Sequence, residues 1–440
     1  MITTEYEQLL EKLLKYLYIL KKDYIFIKSN YFETNIEDET FLDRLDGTHK
    51  GKKICISNTY GSEIINKIKF YSNDSNTIIK KYYSAFKMTS LHSYLQSKNI
   101  KTIIFAGLTV NTCIKASIID AIKLNYKIKI IDECVTSINE KMKVKGLYEL
   151  SQNYDIQIVK LENIINGFEV YCEGDTFLIN DIFPNDIYTD LTFEQIIDEC
   201  NWKKMKINGG ILSREINVQA IQNVNLMPVY RNPSDEYIEP HEPTPIIKKM
   251  FEWLNDNLNL DENKFNHVFI KYYKSCADGI GKHSDKTLDL GLNSYIGNLS
   301  LGSKRKIKFT SKISKEIIEI PLKSNSILFI GMKTNKKWFH EVKPDLRPEK
   351  FKSKDELAYE TRRMSLTFRT VCTFMDINTR KLSGQGAPTN NDIDIDIDID
   401  NIELLNQDKK KLIEAFSNEN KLVDFDWNKY YSCGFYSLNT

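Results

Sequence analysis

Leucine and tyrosine recur at helical spacing over residues 5–22, and a short apolar run follows at Tyr24–Ile27. The first pattern predicts an amphipathic helix and the second a buried strand. The alternation continues downstream. A helix is expected to start near Gly61–Glu63, followed by strand Thr77–Ile79 and helix Ser90–Ser97. Strand Thr102–Ala106, helix Cys113–Leu124, strand Lys127–Asp132, helix Asn139–Asn153 and strand Ile156–Val159 complete the series. Strands and helices alternating at this length predict a doubly wound, Rossmann-like α/β domain.

Past residue 175 the texture changes. Short β-branched and aromatic segments dominate, at His267–Tyr273, Ser294–Ser300, Lys306–Thr310, Glu316–Pro321, Ser326–Ile330 and Arg363–Thr373. Two helices, near 193–201 and 244–257, precede them. Many short strands with a helical buttress predict a β-sandwich or jelly roll. The run Asn390–Asn401 alternates Asp and Ile. Like charges stacked on one face disfavour strand pairing, so this run is expected to be a solvated linker. Beyond it Lys409–Phe416 reads as helix, and the aromatic tail Phe425–Phe435 as a segment that docks on another surface. The expected division is a domain at 1–165, a second at 176–387, a linker at 388–402, and a helix with an aromatic tail at 403–440.

Composition narrows the picture only slightly. At 440 residues the chain is long for one domain. Lys+Arg 61 against Asp+Glu 60 leaves no global field, so contact with nucleic acid has to come from local patches. Eight cysteines are scattered without a C-x-x-C pair, which argues against thiolate metal frameworks and for a reducing compartment. No cysteine/histidine cluster of zinc spacing occurs in the tail. No apolar run reaches the roughly 18 residues that span a bilayer. The expectation is a soluble intracellular protein without membrane partners, with nuclear and cytosolic sites both open.

Candidate chemistry concentrates at His283-Ser-Asp285, His340, Arg363 and Arg369. Two imidazoles and one carboxylate can cover one face of an octahedral Fe(II) and leave the opposite face open. A guanidinium beyond the second His can grip a dicarboxylate with two parallel bonds, as lysine cannot. Arg363 and Arg369 are six residues apart and face the same side of a strand, whereas Arg362 points away as a surface charge. Lys304, Arg305, Lys306 and Lys308, with Lys333, Lys336 and Lys337, form candidate phosphate contacts, or equally the solvent face of a strand. Trp202 reads as core more than as a platform for a base.

Several blocks carry a resemblance. Arg-Met-Ser-Leu-Thr-Phe-Arg at 363–369 and the stretch from Tyr273 to Asp285 are two of them. Asn298–Arg305 and Trp338-Phe-His340 are the others. From about 176 to 387 the chain resembles AlkB-type Fe(II)/2-oxoglutarate dioxygenases, whose fold is the double-stranded β-helix form of the jelly roll. The resemblance implies His283, Asp285 and His340 as iron ligands, and 2-oxoglutarate as cosubstrate. It implies Arg363 on the distal carboxylate, Arg369 near the 1-carboxylate, and a hydrogen bond from the Tyr273 hydroxyl. Lys271 and Ser365 depart from the family pattern, since many members carry Asn at both positions. The implied reaction is oxidative demethylation of alkylated DNA or RNA bases, with the target base flipped out or single-stranded.

A second set of blocks lies upstream: Lys80 with Ser84-Ala-Phe86, then Gly107-Leu-Thr-Val-Asn-Thr-Cys113, then Ile130-Ile-Asp132. A cysteine in the first turn of a helix has its thiolate favoured by free backbone N–H groups. The stretch from roughly 8 to 165 resembles isochorismatase-like cysteine hydrolases, which use an Asp–Lys–Cys triad. The strand that would carry the Asp is expected upstream of Met1, so Lys80 and Cys113 read as a relic site in a non-catalytic domain. That domain is then a candidate platform for a homo-oligomer or a protein partner. The combination resembles fusion proteins of fungal type, as do Gly384–Ala387, Asp424–Trp427 and Tyr430–Phe435. Two alternative readings are an oxygenase acting on a protein or lipid, and a hydrolase of small amides centred on Cys113.

Overall fold

The structure, a computed structural model, describes residues 4–30, 55–166, 168–189, 191–207, 209–260, 263–389 and 399–440. Of the linker expected at 388–402, residues 390–398 lie outside the described residues, and helix Ile399–Lys421 begins before its expected end. Contacts divide the chain into two compact units, Met1–Gly167 and Phe168–Thr440. The expected boundary at 176 falls inside the second unit. Among the described residues no helix is long and apolar enough to cross a membrane.

In the first unit, helix Thr4–Ile19 buries Tyr6, Leu10, Leu13 and Leu14, the stripe that its periodicity predicts. The strands are β1 (Phe26–Ser29), β2 (Thr77–Lys80), β3 (Thr102–Leu108), β4 (Lys127–Thr136) and β5 (Ile156–Val159). All pairings are parallel: β1 with β2, and β4 between β3 and β5. Helices Leu91–Ser97, Lys115–Lys123 and Glu140–Asn153 connect or flank them. Val110, Ile118, Ile130 and Leu150 form a core that is fully closed to solvent. The helix expected near Gly61 is instead a single 3-10 turn, Tyr60–Ser62, ahead of one short turn of helix at Asn66–Lys69. The stretch holds too few consecutive helix formers to nucleate more.

The second unit opens with β6 (Glu169–Tyr171), β7 (Thr176–Ile179), β8 (Lys203–Ile207), β9 (Gly210–Ala220) and β10 (Leu226–Pro228). Next come β11 (His267–Tyr273), β12 (Ile280–His283), β13 (Tyr295–Gly302), β14 (Arg305–Ser311) and β15 (Ile317–Leu322). The last are β16 (Ser326–Gly331), β17 (Trp338–Val342), β18 (Arg363–Arg369), β19 (Thr373–Asp376) and β20 (Leu382–Gly384). An eight-stranded sheet runs β6-β7-β16-β13-β18-β11-β9-β8, and a four-stranded sheet runs β12-β17-β14-β15. Their facing side chains, among them Ile296, Leu328 and Ile330 against Ile307, Phe309 and Val342, close one core. This is the jelly-roll layout. Each such buried aliphatic or aromatic contributes about 1.5–3 kcal/mol.

The single strand expected at Arg363–Thr373 is two. β18 ends at Arg369, and β19 pairs instead with β10 and β20. Helix Pro245–Asn257 starts with proline, whose missing N–H costs nothing in the first turn. It sets Phe251 edge-on to Phe368 of β18, centroids 5.0 Å apart. Helix Ile399–Lys421 and the aromatic tail pack within this unit, where Leu412, Phe416, Phe425, Tyr431 and Phe435 enclose Leu288. Leu288 lies three residues past Asp285, so the tail covers the loop that leads away from the candidate metal centre.

Candidate metal centre and its cavity

β12 and β17 are antiparallel neighbours with His283 directly opposite His340. Cross-strand pairing therefore brings the two imidazoles together, with ring centroids 4.3 Å apart. Asp285 follows β12 by two residues and curls back. Its Oδ1 lies 3.7 Å from Nε2 of His283 and 3.7 Å from Nε2 of His340. One ligand atom from each residue lies within 4.8 Å of the others, an arrangement able to hold a metal ion.

The surrounding bonds fix the orientation of these donors. His283 Nδ1 donates to the carbonyl of Gly281 at 2.7 Å, so Nε2 carries the lone pair. The Asp285 N–H donates to Asn335 Oδ1 and the Asn335 amide donates back to the Asp285 carbonyl, both at 2.9 Å. Arg369 Nη2 donates to Asp285 Oδ2 at 2.5 Å, which leaves Oδ1 to face the imidazoles. The Arg369 guanidinium lies over the Tyr230 ring, 4.1 Å from its centroid. Ser284 is held from both sides: Oγ donates to the Trp338 carbonyl, and N–H donates to Asn420 Oδ1, each at 3.0 Å.

Charge follows from this packing. Burial alone would raise the Asp285 carboxyl, but Arg369, His340 and His283 together hold it well below the usual carboxylate range. Burial lowers both imidazoles, His340 to about 3 with help from His283 beside it. At neutral pH the centre is thus one carboxylate and two neutral imidazoles, which is the protonation state that a divalent metal needs.

A cavity opens onto this group. Its lining includes Lys271, Tyr273, Asn298, Arg363, Ser365 and Thr367. Arg363 is 1% exposed, donates Nη2 to Ser300 Oγ at 2.7 Å, and leaves Nε and Nη1 without a hydrogen-bond partner. The Tyr273 ring lies 5.3 Å from its guanidinium carbon. Burial lowers the Arg363 pKa to about 10, so the group stays cationic at neutral pH. A buried cation with two idle donors is costly on its own and suits a carboxylate that arrives from outside. The donor set fits Fe(II), and the unspent guanidinium fits a dicarboxylate cosubstrate.

All six residues expected at this centre come together. Sequence reasoning does not find Asn335, Ser300, Tyr230 or Asn420; they act through hydrogen bonds and ring contacts that no local spacing announces. Within the expected basic run the side chains divide. Arg305 is 5% exposed and donates to the carbonyls of Asp278 and Lys343. Lys306, Lys308 and Lys337 pair with Glu319, Glu341 and Glu173. Arg362 pairs with Glu194, and Trp202 packs against Tyr272 while donating to the Ile197 carbonyl.

In the first unit Lys80 Nζ lies 3.4 Å from Cys113 Sγ and donates to the Tyr82 carbonyl. Cys113 sits in a π-helical turn, Val110–Ile114, ahead of helix Lys115–Lys123 and not inside it. Asp132 is engaged by Lys143 and Lys160. Among the described residues no carboxylate pairs with Lys80.

Residues 175–369 match the family model of the 2OG-Fe(II) oxygenase superfamily, and residues 15–158 match that of the isochorismatase domain. The DNA oxidative demethylase ALKBH2 of Bos taurus is 32% identical over 109 residues, covering 23% of this chain and 39% of its own. A "Probable inactive nicotinamidase" of Arabidopsis thaliana is 34% identical over 71 residues, covering 16% and 36%. The chain thus spans less than half the length of the curated relatives it matches. Among solved structures, an isochorismatase-like hydrolase from Alkaliphilus metalliredigens is 22% identical, covering 37% of this chain and 83% of that one, with TM-score 0.32.

Proposed function

We propose that this chain, which carries a 2OG-Fe(II) oxygenase domain behind an isochorismatase domain, oxidatively demethylates alkylated bases of nucleic acid. The carrying observation is a single cavity that holds both the His283–Asp285–His340 group and the buried, half-idle Arg363 guanidinium. Bound Fe(II), with dioxygen and 2-oxoglutarate, supplies a two-electron oxidation of a C–H bond and yields succinate and carbon dioxide. An N-methyl group so hydroxylated becomes a hemiaminal, which sheds formaldehyde and restores the base.

The chain's own residues divide the work. His283, Asp285 and His340 hold the metal. Arg363, seated on Tyr273, receives the distal carboxylate of the cosubstrate. Arg369 orients Asp285 through Oδ2, and its Nε, which has no partner, remains for the 1-carboxylate. Nucleic acid as substrate is supported by the likeness to ALKBH2, a DNA oxidative demethylase.

The first unit reads as non-catalytic, a platform for self-association or a protein partner. Support comes from the Lys80–Cys113 pair, which has no carboxylate partner among the described residues, and from the likeness to a protein described as a probable inactive nicotinamidase. Gel filtration of residues 1–170 checks this; a monomer at high concentration would count against self-association.

The test of the enzymatic reading is release of succinate and formaldehyde from N-methylated oligonucleotides supplied with Fe(II) and 2-oxoglutarate. Equal amounts of both, and silence in His283→Ala, are expected. Succinate without formaldehyde across a panel of methylated bases would overturn the substrate. The pairing of Lys306, Lys308 and Lys337 with glutamates favours a second reading, a protein or lipid substrate for the same oxygenase. Affinity for single-stranded DNA that does not change with salt would support it.

A further inference from the structure

Lys271 is the one lysine that lines the cavity. It stands on β11 opposite Ser365 of β18, two residues before Tyr273, with Tyr273 opposite Arg363. Among the described residues its ammonium has no hydrogen-bond or ion-pair partner; it rests over the Phe269 ring, 4.8 Å from the centroid. Phe269 is two residues further from Arg363 along the same face, so Lys271 leans toward the metal end. Its charge is felt there: it acts on Asp285, His283 and His340, each of which is a donor of the candidate centre. Arg369, Arg214 and Arg363 add further positive charge around it, and burial with this crowding pulls the ammonium pKa to about 7. The cavity thus holds more cationic side chains than its own carboxylates answer.

We propose that Lys271 couples metal binding to cosubstrate binding. Its ammonium opposes a divalent cation while the cavity is otherwise empty, and favours one once a dianion has entered between them. The inference rests on the reading of this cavity as the Fe(II) and 2-oxoglutarate site. By linkage, whatever factor the dianion adds to metal affinity, the metal adds to dianion affinity.

The test uses the full chain, Mn(II) as a redox-inert metal, and N-oxalylglycine as an isostere of 2-oxoglutarate. Mn(II) affinity is measured by calorimetry with and without N-oxalylglycine, in the wild type, Lys271→Met and Lys271→Arg. In the wild type N-oxalylglycine tightens Mn(II). In Lys271→Met that gain falls by about tenfold, while Mn(II) alone binds as tightly or more tightly than before. Lys271→Arg keeps the gain, since it keeps the charge. An unchanged gain in Lys271→Met overturns the proposal, and so does a loss of gain accompanied by weaker Mn(II) alone, which marks a merely structural role. Equal loss in both variants overturns it as well. Should Lys271→Met fail to fold by thermal unfolding, Lys271→Gln takes its place under the same criteria. A wild type that binds neither probe would defeat the reading of the site itself; binding of both with no effect of Lys271 would defeat only the coupling.

Discussion

Glu419 offers the sharpest test of how the C-terminal segment serves the candidate metal centre. Its carboxylate is 5% exposed, and Oε1 accepts from the Thr287 N–H at 3.0 Å and from the Thr287 hydroxyl. Oε2 accepts from the Tyr431 hydroxyl at 2.6 Å. Lys286 donates to the Phe416 carbonyl and Lys312 to the Glu419 carbonyl, so two ammonium groups flank the same helix turn. Glu419→Ala strands the buried Tyr431 hydroxyl together with the hydroxyl and N–H of half-buried Thr287. Each unsatisfied group costs about 1–3 kcal/mol, with partial relief where water enters. Three such losses together cost about 3–5 kcal/mol, a large share of a domain's roughly 5–15 kcal/mol.

Urea unfolding of the full chain, followed by tryptophan fluorescence and circular dichroism, would report the loss in the transition of the second unit. Glu419→Gln, which keeps the volume and one acceptor, should lose less. Mn(II) affinity should fall in parallel in Glu419→Ala, because Thr287 and Ser284 bracket Asp285 and both are tied to this helix. A change under about 1 kcal/mol with unaltered Mn(II) binding would refute the reasoning, because a surface position would give the same result.

Three further outcomes follow from the same geometry. Arg363→Met should weaken N-oxalylglycine binding by at least about thirtyfold, the equivalent of about 2 kcal/mol for a buried charge pair, with Mn(II) binding kept; calorimetry reads both. His340 is held neutral down to about pH 3, whereas an unfolded imidazole takes a proton near 6.5. The metal-free protein should therefore lose stability as pH falls below about 6.5, by up to about 1.4 kcal/mol per unit, and His340→Gln should flatten that slope in urea titrations. Finally, amidase assays with nicotinamide and maleamate should show no turnover, and Lys80→Met should leave succinate release unchanged.

The chemistry of the second unit is legible in the sequence because metal and carboxylate recognition restrict residue types severely. His283, Asp285, His340, Arg363 and Arg369 are singled out by residue type and spacing, and β18 buries both arginines. Strands with ordinary pattern are harder. β8 reads Lys-Lys-Met-Lys-Ile and buries only Met205 well, so its polarity hides an edge strand. β12 is four residues with a lysine and a glycine, recognisable only through its pairing with β17.

Contacts across long separations are the most completely concealed. Asn420 meets Ser284 across 136 residues, and Arg231 binds the fully buried Asp289 while donating to the carbonyls of Gly386 and Phe435. No periodicity encodes such pairs. Arg305 shows the converse error: a charge in an alternating strand reads as solvent-facing, yet two backbone carbonyls satisfy it inside. In the first unit the Lys80–Cys113 approach is visible in the motif, and the engagement of Asp132 by Lys143 and Lys160 is not.

The oxygenase reading depends on one metal ion and one 2-oxo dicarboxylate sharing this cavity. Absorption spectroscopy under anaerobic conditions tests it most directly, because an Fe(II) ion chelated by a 2-oxo acid shows a weak visible charge-transfer band. The expected band needs both Fe(II) and 2-oxoglutarate, saturates at one equivalent of iron, and vanishes in Asp285→Ala. No band at saturating concentrations of both, or an undiminished band in Asp285→Ala, would contradict shared occupancy.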